Sequence, residues 1–336
     1  MQLAATNDVR FSKKVCSWNV CKLTDDLIIE ILIWLPPKSA TRFKSVCKSW
    51  CMIIKTRKFI EKHMQRAKPF IYFVTPSNPA PKANSFLFHS AVDGLILEVN
   101  SIQRYCRIRN HATTWNLVLP LPDSKRAYMT MSYLSSSEKY KVLNLQVRAD
   151  APSIFLDVLT VGVDVTWRPV EVPISCGNKR FVSSGTFDGV SYIMIYCHEC
   201  CPPQMLAFQI EDERFVKIPM PQRVEVLCSS GRYAIKAIEF NKKFGLCCKF
   251  EEELHIWGLQ DDEKAEWDEV KIVFLSSVVK QFSDIYKYIP YKIAGTEIFM
   301  MTHPMAWHFC YDFKSNKLLW DSKMSITIAT SLVSLI

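Results

Sequence analysis

The sequence predicts a two-part α+β chain, a small N-terminal helical module followed by an all-β, β-propeller-like domain. Three observations predict it. Apolar residues recur at helical spacing between Leu23 and Met64. After Pro69 the pattern changes to short runs rich in Val, Ile, Phe, Tyr and Trp, divided by polar turns. Those runs carry a repeat of about 50 residues, the length of a four-stranded propeller blade. A chain of 336 residues, 49% hydrophobic and 22% charged, is long enough for about two domains of ~150 residues and a large core. The boundaries expected are 1–22 for a flexible N-terminal segment, 23–68 for the helical module and 69–336 for the β domain.

The first helix is predicted from Leu27, Ile28, Ile31, Leu32 and Leu35, with Thr24 as N-cap and Asp25 and Asp26 in the first turn, where the backbone dipole favours negative charge. Pro36-Pro37 ends it. Ser39 is expected to cap a second helix through Phe43, Val46, Cys47 and Trp50, continued by Ile53 and Ile54. A third stretch, Lys58 to Met64, places Phe59, Ile60 and Met64 on one side before Pro69 stops the pattern.

Within the β domain, an aromatic residue after a polar turn opens an alternating run that often ends in proline. The aromatics of these segments are Trp115, Trp167, Phe215, Trp267 and Trp320, in steps of 52, 48, 52 and 53. A second series keeps nearly the same period: Asp93-Gly94, Lys139 to Lys141, Asp188-Gly189, Asn241 to Gly245 and Ala294-Gly295, each placed between two β runs. Two registers with one spacing argue for five blades over an ordinary β-sandwich. The leftover runs Phe70 to Val74 and Ile326 to Ile336 are expected to pair with each other, complete a further blade and close the ring, hiding exposed sheet edges. With nine glycines and no Gly-Gly pair, the repeat is propeller-like without being plainly kelch.

Charge and cysteine usage narrow the function. Residues 1–68 hold 14 Lys+Arg against 5 Asp+Glu, leaving 28 against 28 in residues 69–336. The larger domain therefore has no net field to attract phosphate, and a nucleic-acid partner is not expected. Thirteen cysteines, odd in number and widely spread, fit reduced thiols buried as small hydrophobes. No apolar run approaches the ~18 residues of a membrane helix and no signal-peptide h-region is present, so a cytoplasmic or nuclear location is expected.

The helical module can also be read as a motif: Leu23-Thr24-Asp25-Asp26-Leu27, Glu30-Ile31-Leu32, Leu35-Pro36, Lys38-Ser39 and Arg42-Phe43-Lys44-Ser45-Val46-Cys47-Lys48-Ser49-Trp50. This stretch resembles a plant-type F-box, and the β domain is similar, more loosely, to the F-box-associated domain of that family, through Asp93-Gly94-Leu95, Ile108-Arg109-Asn110 before Leu119-Pro120, and Phe208 before Ile218-Pro219. The resemblance implies a substrate-recognition subunit of an SCF-type ubiquitin ligase. The F-box would dock on a Skp-type adaptor that joins a cullin and a RING subunit, the C-terminal domain would hold a protein substrate, and the chemistry would happen elsewhere. It further implies adaptor contacts at Leu23, Thr24, Leu27, Ile31, Leu32, Leu35, Pro36, Lys38, Val46, Cys47 and Trp50, some of which must instead pack the module's interior. On this basis Leu32→Asp is expected to abolish adaptor binding. Two positions depart from the family pattern: Thr24 stands where proline is usual, and Ala40 where leucine is usual. Ala40 would forgo about 2 kcal/mol of apolar burial if that site faced the adaptor.

Catalytic and metal patterns do not assemble. No Gly-x-Gly, Walker-type Gly-Lys-Ser/Thr or Gly-x-Ser-x-Gly occurs. Cys197-His198-Glu199-Cys200-Cys201 contains one C-x-x-C, half of a tetrahedral zinc site, without a matching second pair among Cys228, Cys247 and Cys248. The acidic runs Glu251-Glu252-Glu253 and Asp261-Asp262-Glu263 read as solvated turns. The expectation is a non-enzyme without cofactor or metal. The alternatives are a propeller enzyme or small-ligand binder with an axial pocket, and a scaffold whose F-box no longer engages an adaptor.

Overall fold

The structure is a computed structural model that describes residues 23–66, 69–73, 87–100, 105–110, 113, 115–120, 122, 128–147, 154–173, 179–197, 204–224, 235–241, 243–250, 253–261, 264, 266–273, 288–302, 307–315, 317–323 and 325–329. Helices come first: α1 (Asp25–Leu32), α2 (Pro37–Phe43), α3 (Lys48–Lys55) and α4 (Arg57–Arg66). Thr24 caps α1 as expected, its hydroxyl accepting from the Leu27 N–H at 3.4 Å, with Asp25 and Asp26 in the first turn.

Two expectations about the helices are corrected. Ser39 does not cap α2, because the helix already starts at Pro37. Proline suits that first position, where the missing N–H has no intrahelical partner to lose. The run from Phe43 to Trp50, continuous in its spacing, is broken into two helices. Lys44, Ser45 and Val46 form a turn, and Cys47 takes an extended backbone from which its Sγ accepts the Trp50 N–H at 3.5 Å. Ile28, Ile29, Leu32, Ile33, Ala40, Ile53, Ile54 and Phe59 make the core of the four helices.

After the helices comes a short strand, β1 (Pro69–Phe73), and then five groups of four antiparallel strands. The first blade is β2 (Leu87–Val92), β3 (Leu95–Asn100), β4 (Tyr105–Asn110) and β5 (Asn116–Leu119). The second is β6 (Tyr128–Leu134), β7 (Lys139–Val147), β8 (Ile154–Thr160) and β9 (Arg168–Glu171). The third is β10 (Lys179–Phe187), β11 (Val190–Cys197), β12 (Gln204–Gln209) and β13 (Arg214–Ile218). The fourth is β14 (Ile235–Phe240), β15 (Lys243–Phe250), β16 (Glu253–Asp261) and β17 (Glu266–Val273), and the fifth is β18 (Tyr288–Ala294), β19 (Glu297–Thr302), β20 (Trp307–Asp312) and β21 (Lys317–Lys323). Strand order within each blade follows the chain, and first strands meet first strands from blade to blade, β2 on β6, β6 on β10, β10 on β14 and β14 on β18. Blades four and five are joined further, since β14 and β18 pair in parallel at Glu239–Lys292 and Phe240–Ile293.

The hydrophobic cores lie between blades. Leu95, Leu97 and Ile108 of the first meet Met131, Tyr140 and Val142 of the second, and Leu143, Leu156 and Val158 of the second meet Ile193, Leu206 and Phe208 of the third. A third core joins Met194, Met205 and Ala207 to Leu246, Cys248 and Trp257. Such sheets bury both faces only against their neighbours, which is why one pattern recurs along the chain. The recurring aromatic and proline have a shared cause. Trp167 donates its indole N–H to the carbonyl of Pro120 at 2.8 Å, and Trp267 donates to Pro219 at 3.0 Å, so the aromatic of one blade latches onto the proline ending the blade before it.

The turns joining the first two strands of a blade carry most of the second series. Asp93-Gly94 and Asp188-Gly189 both take positive φ at both positions (52° and 77°, 46° and 76°), the backbone of a tight two-residue hairpin. Lys139 to Lys141, expected as a turn, lies inside β7 instead, and the turn is the preceding Ser135 to Glu138 with Glu138 at φ 55°. Lys141 reads as a turn residue because it is charged. It is nevertheless buried, its ammonium donating to the carbonyls of Ile210 and Glu211 and to Glu213. Gly245, expected at the end of a turn, sits within β15 opposite Gly258. A last strand, β22 (Ser325–Ala329), pairs antiparallel with β1 from Pro69–Ala329 to Phe73–Ser325, the pairing the leftover runs predict; Val74 and residues 330–336 fall outside the described residues. Among the described residues no helix is long and apolar enough to cross a membrane.

Candidate functional site

Helix α1 has more apolar residues than its own module can bury. Its inward face gives Ile28, Ile29 and Leu32 to the core, followed by Ile33 in the turn after it. Leu23, Leu27, Ile31 and Trp34 recur at steps of four, four and three, one stripe on the opposite side of the helical turn. They remain 51%, 52%, 54% and 71% exposed. Val46, in the turn before α3, and Met52 on α3 are exposed as well, and the Arg66 guanidinium lies 4.4 Å over the Trp34 ring. Exposed apolar side chains repeated along one helix face mark an interaction surface.

The eleven residues expected to contact an adaptor separate by burial. Leu23, Thr24, Leu27, Ile31, Pro36, Lys38, Val46 and Cys47 are exposed. Leu35 and Trp50 are half-buried against the module's own core, where Trp50 packs on Phe43 with ring centroids 5.6 Å apart. Leu32 is wholly interior at 1% exposure, so Leu32→Asp reports on folding before it reports on any partner. Ala40 is interior too. A methyl group fits beneath the packed helices at that position and presents nothing outward, which removes the expected loss of partner contact there.

Trp34 and Met52 were missed by the sequence reading. Trp34 carries a signal in the sequence, since it continues the spacing of Leu27 and Ile31; Met52 carries none, because it stands between residues that pack inward.

Glu30 follows the stripe on α1 and ties it to α4: Lys62 donates to one carboxylate oxygen at 3.0 Å and Arg66 approaches the other at 3.6 Å. The hydrogen bond from Lys62 holds the Glu30 carboxyl below its ordinary range. His63, on α4, is 1% exposed; its Nε2 donates to the Leu35 carbonyl at 2.8 Å, and Nδ1 has no partner among the described residues. Burial pushes its pKa below the ordinary imidazole value, with the Leu35 bond opposing.

No catalytic arrangement assembles among the described residues. No group of three or more His, Cys, Asp or Glu there is placed to hold a metal. Residues 198–203 and Cys228, Glu251, Glu252, Asp262 and Glu263 lie outside the described residues, so the zinc-like cluster and most of both acidic runs have no described geometry. Among the described residues, Cys47, Cys51, Cys106, Cys247, Cys248 and Cys310 are not joined in disulfides. Burial raises the Cys106 thiol to about 12 and Cys248 to about 11, which makes them poor nucleophiles near neutral pH. One cleft of about 160 Å³ opens between the second and third blades, with Tyr133, Ser135, Asp188, Glu211 and Asp212 in its walls. It has room for one side chain.

The chain matches two family models. The F-box domain model covers residues 20–62, and the F-box associated beta propeller domain model covers residues 50–320. The chain is 27% identical over 281 residues to an Arabidopsis thaliana F-box protein, At5g52610, covering 75% of this chain and 78% of that one. It is 26% identical over 321 residues to F-box protein At1g52495 of the same plant, covering 83% and 74%. Among solved structures it is similar to a luciferin-regenerating enzyme with a TM-score of 0.45 and 9% identity, covering 76% of this chain and 81% of that one.

Proposed function

Because this chain belongs to the F-box proteins that carry an F-box associated beta propeller domain, we propose that it is the substrate-recognition subunit of an SCF-type ubiquitin ligase. In this reading residues 23–68 dock on a Skp-type adaptor and, through it, on a cullin–RING assembly, while residues 69–336 hold a protein substrate. The exposed stripe of Leu23, Leu27, Ile31 and Trp34 supports it most directly. The opposite face of α1 is already committed to the module's core, so a partner is what covers the stripe. Lys38, Val46 and Cys47 are exposed on the following elements and are proposed as flanking contacts, with Leu35 and Trp50 supporting the surface from beneath.

The mechanism is proximity. A receptor of this kind contributes no nucleophile; it holds substrate lysines near a charged conjugating enzyme on another subunit and so raises their effective concentration. The protein is accordingly proposed to be a non-enzyme of the cytoplasm or nucleus. Co-purification with a Skp-type adaptor tests the reading. Ile31→Asp replaces an exposed apolar contact and leaves the core intact, so it is expected to weaken adaptor binding by about tenfold or more, the equivalent of ~1.5–3 kcal/mol of lost apolar burial. Wild-type chain that fails to bind the adaptor, or an Ile31→Asp chain that binds as well as wild type, overturns the assignment of this face.

A further inference from the structure

Arg57, the first residue of α4, reaches out of the helical module. Its Nη1 donates to Asp93 Oδ2 at 2.7 Å, its guanidinium carbon lies 3.9 Å from the centroid of the Tyr133 ring, and its Nε donates to Glu61 within the helix at 2.8 Å. The first two contacts belong to different blades, because Asp93 is in the β2–β3 turn and Tyr133 is near the end of β6. Tyr140, on β7 of the second blade, donates its hydroxyl to the same Asp93 oxygen at 2.8 Å. One carboxylate thus receives a donor from the helical module and a donor from the neighbouring blade. Ile60, one helical turn beyond Arg57, is packed against both the module's core and the core between the first two blades.

We infer that Arg57 is a positioning residue that builds the helical module into the seam between the first and second blades, so that a partner bound to the helices also stabilises the ring. Asp93 has 14% of its side chain exposed, too little for water to replace a lost cation, and its backbone at φ 52° is held in a tight hairpin. Losing Arg57 therefore costs the helix its anchor and leaves the carboxylate between the blades, among the described residues, with the Tyr140 hydroxyl as its side-chain donor. Any ligand that binds only the folded module then stabilises whatever must be folded with it. The identity of that ligand as a Skp-type adaptor rests on the reading above; the clasp itself does not.

Amide hydrogen exchange on the full chain tests it. In the chain alone, Arg57→Ala is expected to speed exchange by about tenfold or more in α4 and also in β2 and β6, with β14 to β17 unchanged. Asp93→Asn should reproduce the effect from the ring side, and Glu61→Gln, which removes only the pair inside the helix, should leave β2 and β6 as they are. With adaptor added, exchange in β2 and β6 slows for wild type and stays as before for Arg57→Ala. Faster exchange confined to α4, or spread evenly over every blade, overturns the inference. If the adaptor does not bind the wild type, the proposed function fails while the comparison of free chains still decides the clasp.

Discussion

His63 and Glu213 show how single side chains set the pH range in which this protein holds together. The His63 imidazole is buried, uses Nε2–H on the Leu35 carbonyl and has no partner for Nδ1 among the described residues, so protonation puts a poorly compensated charge inside the helical module. Its folded pKa lies below the ordinary value of 6.5. The unfolded chain therefore binds the proton first, and stability, complete above about pH 6.5, declines as the pH falls below that value. Glu213 acts in a lower window. Arg168 grips its carboxylate with two donors at 2.8 and 2.9 Å and Lys141 adds a third, holding it at about 2 from an ordinary 4.5 against the opposing effect of burial. This contribution is complete above about pH 4.5 and is lost as the pH falls toward 2. The expected outcome is a melting profile in which the helical signal weakens first on acidification and the β signal follows at lower pH. His63→Gln should flatten the first decline alone, as followed by circular dichroism and tryptophan fluorescence in parallel.

At the level of elements, the latch between blades gives the sharpest expectation. Trp167 fills part of the first inter-blade core and donates its indole N–H to Pro120. Trp167→Phe keeps the ring and removes the donor, leaving the Pro120 carbonyl without this bond. A loss of about 1 kcal/mol follows, measurable as a lower denaturation midpoint with an unchanged slope. Phe215 already holds the equivalent place in the third blade without a donor, packed on Phe208 with ring centroids 4.8 Å apart, so Phe215→Trp tests whether a latch can be added there. Gly258 supplies a different limit. A Cβ at that position would run into the Phe240 ring, and one at Gly245 would come within 2.8 Å of the Phe240 Cβ. Gly258→Ala is therefore expected to destabilise the fourth blade by about 1–3 kcal/mol, through displacement of Phe240.

The same elements show what was legible in the sequence. The ~50-residue period could be read because the aromatic recurs from blade to blade, latching onto a proline carbonyl in the second and fourth, and because the first and third blades share an Asp-Gly hairpin. The break between α2 and α3 was hidden, since Phe43, Val46, Cys47 and Trp50 keep helical spacing across a turn that tertiary packing imposes. On α1, Ile31 and Leu32 are neighbours of nearly equal hydrophobicity, and only the direction of the helix separates the exposed one from the interior one. Residue type alone had no means of telling them apart. Ala40 misled for a related reason, because a small residue looks like a lost contact until its neighbours are known to need the space.

At the scale of the whole molecule, the two ends of the β domain meet in one pair of strands. β1 follows α4 in the chain, and β22 pairs with it after the fifth blade, with five residue pairs in antiparallel register. A ring whose blades rest on their neighbours has no internal substitute for a missing closure, because the terminal sheets would expose unpaired edges. Removing residues 324–336 takes away β22 while leaving every four-stranded blade complete in sequence. If the pair seals the ring, the truncated chain melts at a lower temperature, is cut by protease first near residues 69–73, and shows the loss in the helical signal as well, since β1 follows α4 in the chain and Arg57 ties that helix to the first two blades. A truncated chain with an unchanged midpoint and no new cleavage there assigns closure to contacts between the outer blades, and β22 becomes an addition to a ring already sealed without it.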